Sequence, residues 1–277
     1  MASTITKPIV IYAIQGSQFV FKVLAALQDR DVPHYVTFVP LTREAREKAL
    51  PAGGYLVPQM TVGEGENPTV VGDSESILHW IDDNVENAGL YPNDKAKELS
   101  ERASDNTLAA MVWYYNNVDP TGYHKSIQPS IRNAVMPWFV PSFIGNGLVN
   151  QLMKSVIAGK RKDILKAIPD MEESMLDDEP AMRKKMIDEL KYFQQFLLEK
   201  PDQKYLLDTD RPTAADFSVY AQVARFLAGG TNDSEVLACC PELRDESSLQ
   251  RLWEWYDLMK KECHVKFKGK RAPKSML

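Results

Sequence analysis

Apolar and polar positions repeat with different periods along the first 84 residues, and each change of period marks an element. Ile9-Val10-Ile11-Tyr12 is a short apolar run suited to a buried central strand. Gly16-Ser17 breaks it. Val20, Val23, Leu24 and Leu27 then fall at i, i+3, i+4 and i+7, one apolar face of a helix. Asp29-Arg30-Asp31-Val32-Pro33 ends that helix. Tyr35, Thr37 and Val39 alternate with His34, Val36 and Phe38, a second strand rich in β-formers. Strand, helix, strand predicts a parallel pair joined by a right-handed crossover. A polar helix over 42–49 and a Pro-Ala-Gly-Gly loop at 51–54 follow.

Residues 55–84 read as a strand, a turn over 63–68, a second strand and a helix start. Pro58 stands at the mouth of the first strand, where a residue that cannot donate to a ladder is tolerated. An X-Pro bond there is a candidate for cis, leaving the backbone of Val57 free to pair with something else. Asp73-Ser74-Glu75-Ser76 then opens a helix whose hydroxyls and unpaired N–H groups suit a carboxylate. That helix packs through Ile77, Trp80 or Ile81, and Val85. A strand-like docking edge close to an anion site is what a small extended peptide needs.

From about residue 95 the periodicity is helical throughout. A helix over 97–118 carries Leu108, Met111, Val112 and Tyr115 on one face, and Asp119-Pro120-Thr121-Gly122 is expected to stop it. Further helices are predicted over 148–168, over 179–200 with the stripe Met186, Leu190, Phe193 and Leu197, and over 217–227. Thr213 and Asp216 have the spacing of a capping box at the start of the last of these.

The order βαβ then αββα, with Val57-Pro58 followed by Glu75-Ser76-Ile77, resembles the glutathione-binding domain of the glutathione transferase superfamily. Thr213-x-x-Asp216, well over a hundred residues downstream, resembles the superfamily's second hallmark. The resemblance implies an α/β thioredoxin-like N-terminal domain over 1–84 and an all-α C-terminal domain over 95–277. It also marks residues 119–178 as an insertion, with the Pro-aromatic stretch 136–144 as a candidate pocket cap or dimer cover. Val57, across a cis bond to Pro58, would pair with the cysteinyl part of glutathione, and Glu75 and Ser76 would hold its γ-glutamyl end. Ser17 falls where serine-type classes carry the catalytic hydroxyl, which would stabilise the thiolate that acts as nucleophile. Tyr12 resembles the catalytic tyrosine of other classes, one position late. Ser17 is also readable as a plain helix cap.

Trp113 and Tyr114 are candidates for the wall of an electrophile pocket, and aromatic runs of this kind are also ordinary core. The implied activity is conjugation of glutathione, as co-substrate, to a hydrophobic electrophile. The other reading is a non-catalytic binding or scaffold protein on the same fold. A homodimer is implied as well.

Composition narrows the partners. The 277 residues are 44% hydrophobic and carry a formal net charge of -5, which argues against nucleic acid. The short basic run 266–271 reads as solvated charge. Cys239, Cys240 and Cys263 make no disulfide framework, and His124 has no metal-spaced partner, so no metal is expected. No signal peptide or spanning segment is legible, so the expectations are a cytoplasmic location and no membrane partner.

Overall fold

The computed structural model describes residues 7–40, 42–63, 65, 67–135, 140–200, 202–228, 238–263 and 265. The basic run 266–271 and most of the stretch Met136-Pro137-Trp138-Phe139 lie outside these residues.

Strand β1 (Ile9–Ala13) is buried at every position, as its unbroken apolar run requires of a central strand. It pairs in parallel with β2 (Tyr35–Phe38) and antiparallel with β3 (Gln59–Val62), which pairs antiparallel with β4 (Thr69–Gly72). The sheet order is β2-β1-β3-β4. Helix α1 (Gln18–Asp29) is the β1–β2 crossover, and α2 (Arg43–Ala49) precedes β3. Helix α3 (Ser74–Asn84) buries Ile77, Leu78 and Ile81, and Trp80, only partly buried, packs against the same core. This is the thioredoxin-like arrangement that the sequence pattern implies.

The second domain departs from the expected single helix over 97–118. Helix α4 (Asp94–Asp105) ends at Asn106, whose backbone is non-helical, and α5 (Thr107–Trp113) starts afresh. A π-helical turn, Tyr114–Val118, widens the chain's path. The expected stop at Asp119 is instead a restart. Asp119 accepts a hydrogen bond from the Gly122 N–H at 2.6 Å, opening the short helix α6 (Pro120–Gly122), and a second π-helical turn, Tyr123–Ile127, follows. Asp-Pro is a start signature as well as a stop: Asp caps, and proline fits the first helical position.

Helices α7 (Gln128–Val135), α8 (Ser142–Ala167), α9 (Glu179–Leu197), α10 (Ala214–Ala228) and α11 (Gln250–Glu262) complete the domain. α10 is buried along nearly its whole length and packs on both α4 and α1. Asp216 holds its start. One carboxylate oxygen accepts from the Thr213 N–H and hydroxyl, both at 2.9 Å, and the other from Leu206 N–H and Trp255 Nε1. One apolar core runs from β1 and α1 through α10 to Trp255 of α11, without interruption between the two domains.

Candidate functional site

The β1–α1 junction builds the first wall of the site. Gly16 has φ 76°, a left-handed conformation that only glycine adopts without cost, and it turns the chain into α1. Ser17 then caps the helix, its Oγ accepting from the Val20 N–H at 3.4 Å. That bond uses the oxygen's lone pair and leaves the hydroxyl proton free to donate. Ser17 is half-buried and borders a cavity of about 350 Å³ between the two domains. Gln15, Gln18 and Phe19 border it from the same junction.

The second wall is the segment ahead of β3. Val57-Pro58 is the one cis peptide bond among the described residues, and Val57 borders the same cavity. The Val57 N–H and C=O have no hydrogen-bond partner among the described residues, so the segment presents an open backbone edge. Arg46 of α2 reaches this wall and donates to Tyr55 O at 2.9 Å. The far wall comes from the second domain: Trp113, Asn116 and Asn117 at the first π-helical turn, Ile127 from the second, and Arg225 of α10.

Of the aromatic pair, Trp113 borders the cavity. Tyr114 is buried in the core, where burial pushes its hydroxyl up to about 12. Tyr12 is also buried, packed among Val10, Val39 and Leu50, away from the cavity wall.

The α3 start, which holds the other predicted residues, does not border this cavity. Asp73 caps it with φ 49°, its two oxygens accepting from the Ser76 N–H at 2.8 Å and the Ser76 hydroxyl at 2.9 Å. Glu75 faces the helical domain. Lys22 Nζ donates to it at 2.6 Å, Tyr91 at 2.6 Å and Ser100 at 3.1 Å. Lys22 also donates to Ser104 at 2.9 Å, and the Ser100 and Ser218 hydroxyls are 2.7 Å apart. Burial works against the Glu75 anion, but the Lys22 charge and three donors outweigh it and hold its pKa below the ordinary glutamate value. Burial and the Glu75 charge raise the Tyr91 pKa, so Tyr91 stays a donor.

The Ser74 and Glu75 N–H groups and the Ser74 hydroxyl carry no hydrogen bond among the described residues. They are an anion seat at a helix start of the kind backbone dipoles favour. Sequence reading included Ser74 in this helix start but assigned the binding roles to Glu75 and Ser76, and it did not single out Arg46. Ser74 could have been found as the first residue after the capping Asp73, whereas nothing local singles out Arg46.

No cluster of three His, Cys, Asp or Glu among the described residues could hold a metal ion. The three cysteines are buried and unpaired, with burial raising each thiol, Cys239 to about 12. None borders the cavity.

No protein-family model matches the chain, and no curated protein matches it. Solved structures do. FzlA from C. crescentus is similar over 96% of both chains, at 14% identity and a TM-score of 0.55. A glutathione S-transferase from Methylobacterium radiotolerans, solved with glutathione sulfonate, is similar over 96% of both chains at 13% identity and a TM-score of 0.52. A glutathione S-transferase domain-containing protein from Marinobacter aquaeolei covers 93% of this chain and all of its own, at 14% identity and a TM-score of 0.52. At these identities the likeness is one of fold.

Proposed function

We propose that this chain, whose fold is that of the glutathione transferases, binds glutathione and uses its thiolate on an electrophilic small molecule. The observation that carries the reading is the shared cavity. The Ser17 hydroxyl at the α1 start and the open backbone edge at Val57 border one space, with an aromatic ring, Trp113, opposite. Glutathione would lie along Val57, held extended by its backbone ahead of Pro58. Arg46 would meet its glycyl carboxylate. The α3 start would receive the γ-glutamyl carboxylate, through the Ser74 and Glu75 N–H groups and the Ser74 hydroxyl, with Ser76 released from Asp73 to join them.

The chemistry follows from those positions. The thiol proton leaves to water, and the Ser17 hydroxyl donates to the resulting thiolate while the first-turn N–H groups of α1 add their dipoles. The thiolate attacks the electrophilic carbon, a C–S bond forms and the leaving group departs with its electron pair. A homodimer in the cytoplasm belongs to the same reading, and light scattering tests its mass.

The test is retention on immobilised glutathione, then turnover of an aromatic halide by wild type and Ser17→Ala. Retention with turnover that falls in Ser17→Ala supports the proposal, and no retention sinks it. One observation favours a second reading, a non-catalytic binding or scaffold protein. The Glu75 carboxylate and Ser76 already have partners within the chain, so neither needs a ligand. Retention without turnover would select that reading.

A further inference from the structure

Helix α8 (Ser142–Ala167) is apolar on two sides along its first half, and only one of them has a partner among the described residues. Its inner side sets Val149 and Met153 against Tyr123, Ile127 and Ile131. Its outer side carries Phe143, Ile144, Leu148, Leu152 and Val156, all between 44% and 76% exposed. Four of these recur every fourth residue, a single stripe along the helix. A contiguous apolar stripe open to water is unusual on a monomer and marks a docking surface.

Charge identifies what it docks to. Lys162 and Lys166 follow Ile144 and Leu148 at about five full helical turns, on the same side, and both are exposed. Lys154 flanks the stripe. The helix holds five cations, Lys154, Lys160, Arg161, Lys162 and Lys166, against the single acid Asp163, in a chain of net charge -5. Lys160 pairs with Asp163 and Arg161 with Asp177. Lys154, Lys162 and Lys166 are in no ion pair among the described residues. Apolar side chains in line with unpaired lysines suit the boundary between acyl chains and anionic headgroups. A second copy in parallel two-fold pairing suits them poorly, because it would set the same cations of α8 against each other. No helix among the described residues is long and apolar enough to cross a membrane, so the contact is with the surface.

We propose that the outer side of α8 docks this protein on anionic phospholipid bilayers, lying flat with the stripe from Ile144 to Val156 in the headgroup boundary. The docking helix touches the cavity wall, since Lys160 Nζ stands 3.9 Å over the Trp113 ring. Docking therefore sets the cavity beside a phase in which apolar small molecules concentrate.

Co-sedimentation of the full chain with vesicles tests this, using phosphatidylcholine alone and phosphatidylcholine with phosphatidylserine. Wild type is expected to sediment with the anionic vesicles, to release as salt is raised, and to stay in solution with the neutral ones. Leu148→Asp/Leu152→Asp and Lys162→Glu/Lys166→Glu are each expected to bind at least ten-fold more weakly, with unchanged circular dichroism because all four positions are exposed. Competition by inorganic phosphate would trace the binding to an anion site and overturn the bilayer assignment. So would wild-type failure to sediment, or two variants that bind like wild type. A wild-type dimer that Leu148→Asp/Leu152→Asp splits into monomers would show that a second copy covers the stripe, and would also overturn it.

Discussion

Two side chains carry the residue-scale predictions, and their roles differ. Ser17 accepts one hydrogen bond and has its proton to spare, so replacing it should cost chemistry and little fold. Ser17→Ala is expected to lower kcat roughly 10²-fold, about 2.7 kcal/mol, a typical loss for one anion-stabilising donor. Glutathione affinity should stay near wild type, since Val57 and the α3 start do the holding. The rate's pH profile should move up by on the order of one unit, as a thiolate without its donor forms less readily. Stopped-flow turnover across pH beside calorimetric binding separates the two effects. Glu75 is the opposite case, since its partners are inside the protein. Lys22 is 1% exposed and its ammonium pairs with Glu75, so Lys22→Met leaves a buried carboxylate without its cation. A loss of about 3–5 kcal/mol in urea unfolding is expected. Because folding lowers the Glu75 pKa, its contribution is present above the ordinary glutamate pKa and lost as pH falls through the lowered value. Glu75→Gln should flatten the acid limb of the stability curve and lower the plateau at neutral pH. An unchanged limb would remove Glu75 from the acid response.

At the scale of elements, the second domain turns on a close approach. A Cβ on Gly122 would stand 1.9 Å from the Tyr115 carbonyl oxygen and 3.2 Å from that of Cys239, both backbone atoms that cannot swing aside. Gly122→Ala is expected to cost about 1–3 kcal/mol as an overpacked site. It should also disturb the cavity, because the π-helical turn holding Asn116 and Asn117 ends two residues before α6 starts. Thermal melting and glutathione-analogue binding would read both effects. A mutant with wild-type stability would mean that the two turns do not touch in solution. The elements that the sequence foretold and those it concealed divide along the same line. β1 was legible as an unbroken apolar run because it is buried at every position, and α1 because its largest apolar residues keep the helical period. Val57-Pro58 and the Ser17 cap were legible because proline and the cap-forming residues act locally. The break at Asn106 was hidden because Leu108, Met111, Val112 and Tyr115 keep a helical period across it. The π-helical turns were hidden because an extra residue per turn is set by what the helix packs on, here Ser126, which donates to Asn116 and accepts from Arg225. The ion pair and hydrogen bonds of the Glu75 side chain were hidden because its partners Lys22, Tyr91 and Ser100 are scattered over the chain.

For the whole molecule, the polar groups at the boundary decide whether the two domains are one folding unit. Lys22 of α1 reaches Ser104 of α4, and Glu75 of α3 accepts from Ser100 of α4. Arg30, at the α1 end, donates to the carbonyls of Ala88 and Pro212, both at 2.6 Å. The Ala214 N–H at the α10 start donates to Leu90 O at 2.9 Å. Phe21 of α1 packs on Tyr220 of α10 with ring centroids 5.1 Å apart. Removing the helical domain would expose the apolar side of α1 together with the Lys22 ammonium and Glu75, which no water-filled gap now separates from α4. Apolar surface left in water forfeits about 25 cal/mol per Å², and each lost hydrogen bond about 1 kcal/mol, against a net stability of only about 5–15 kcal/mol for a whole domain. A fragment of residues 1–91 is therefore expected to lack cooperative unfolding and dispersed amide signals, although it holds the whole thioredoxin-like sheet. The intact chain is expected to unfold in a single urea transition, with tryptophan fluorescence and far-ultraviolet circular dichroism tracing one curve. Two separated transitions, or a fragment that folds alone, would show that the first domain stands without the second and that the Glu75 network only decorates the boundary.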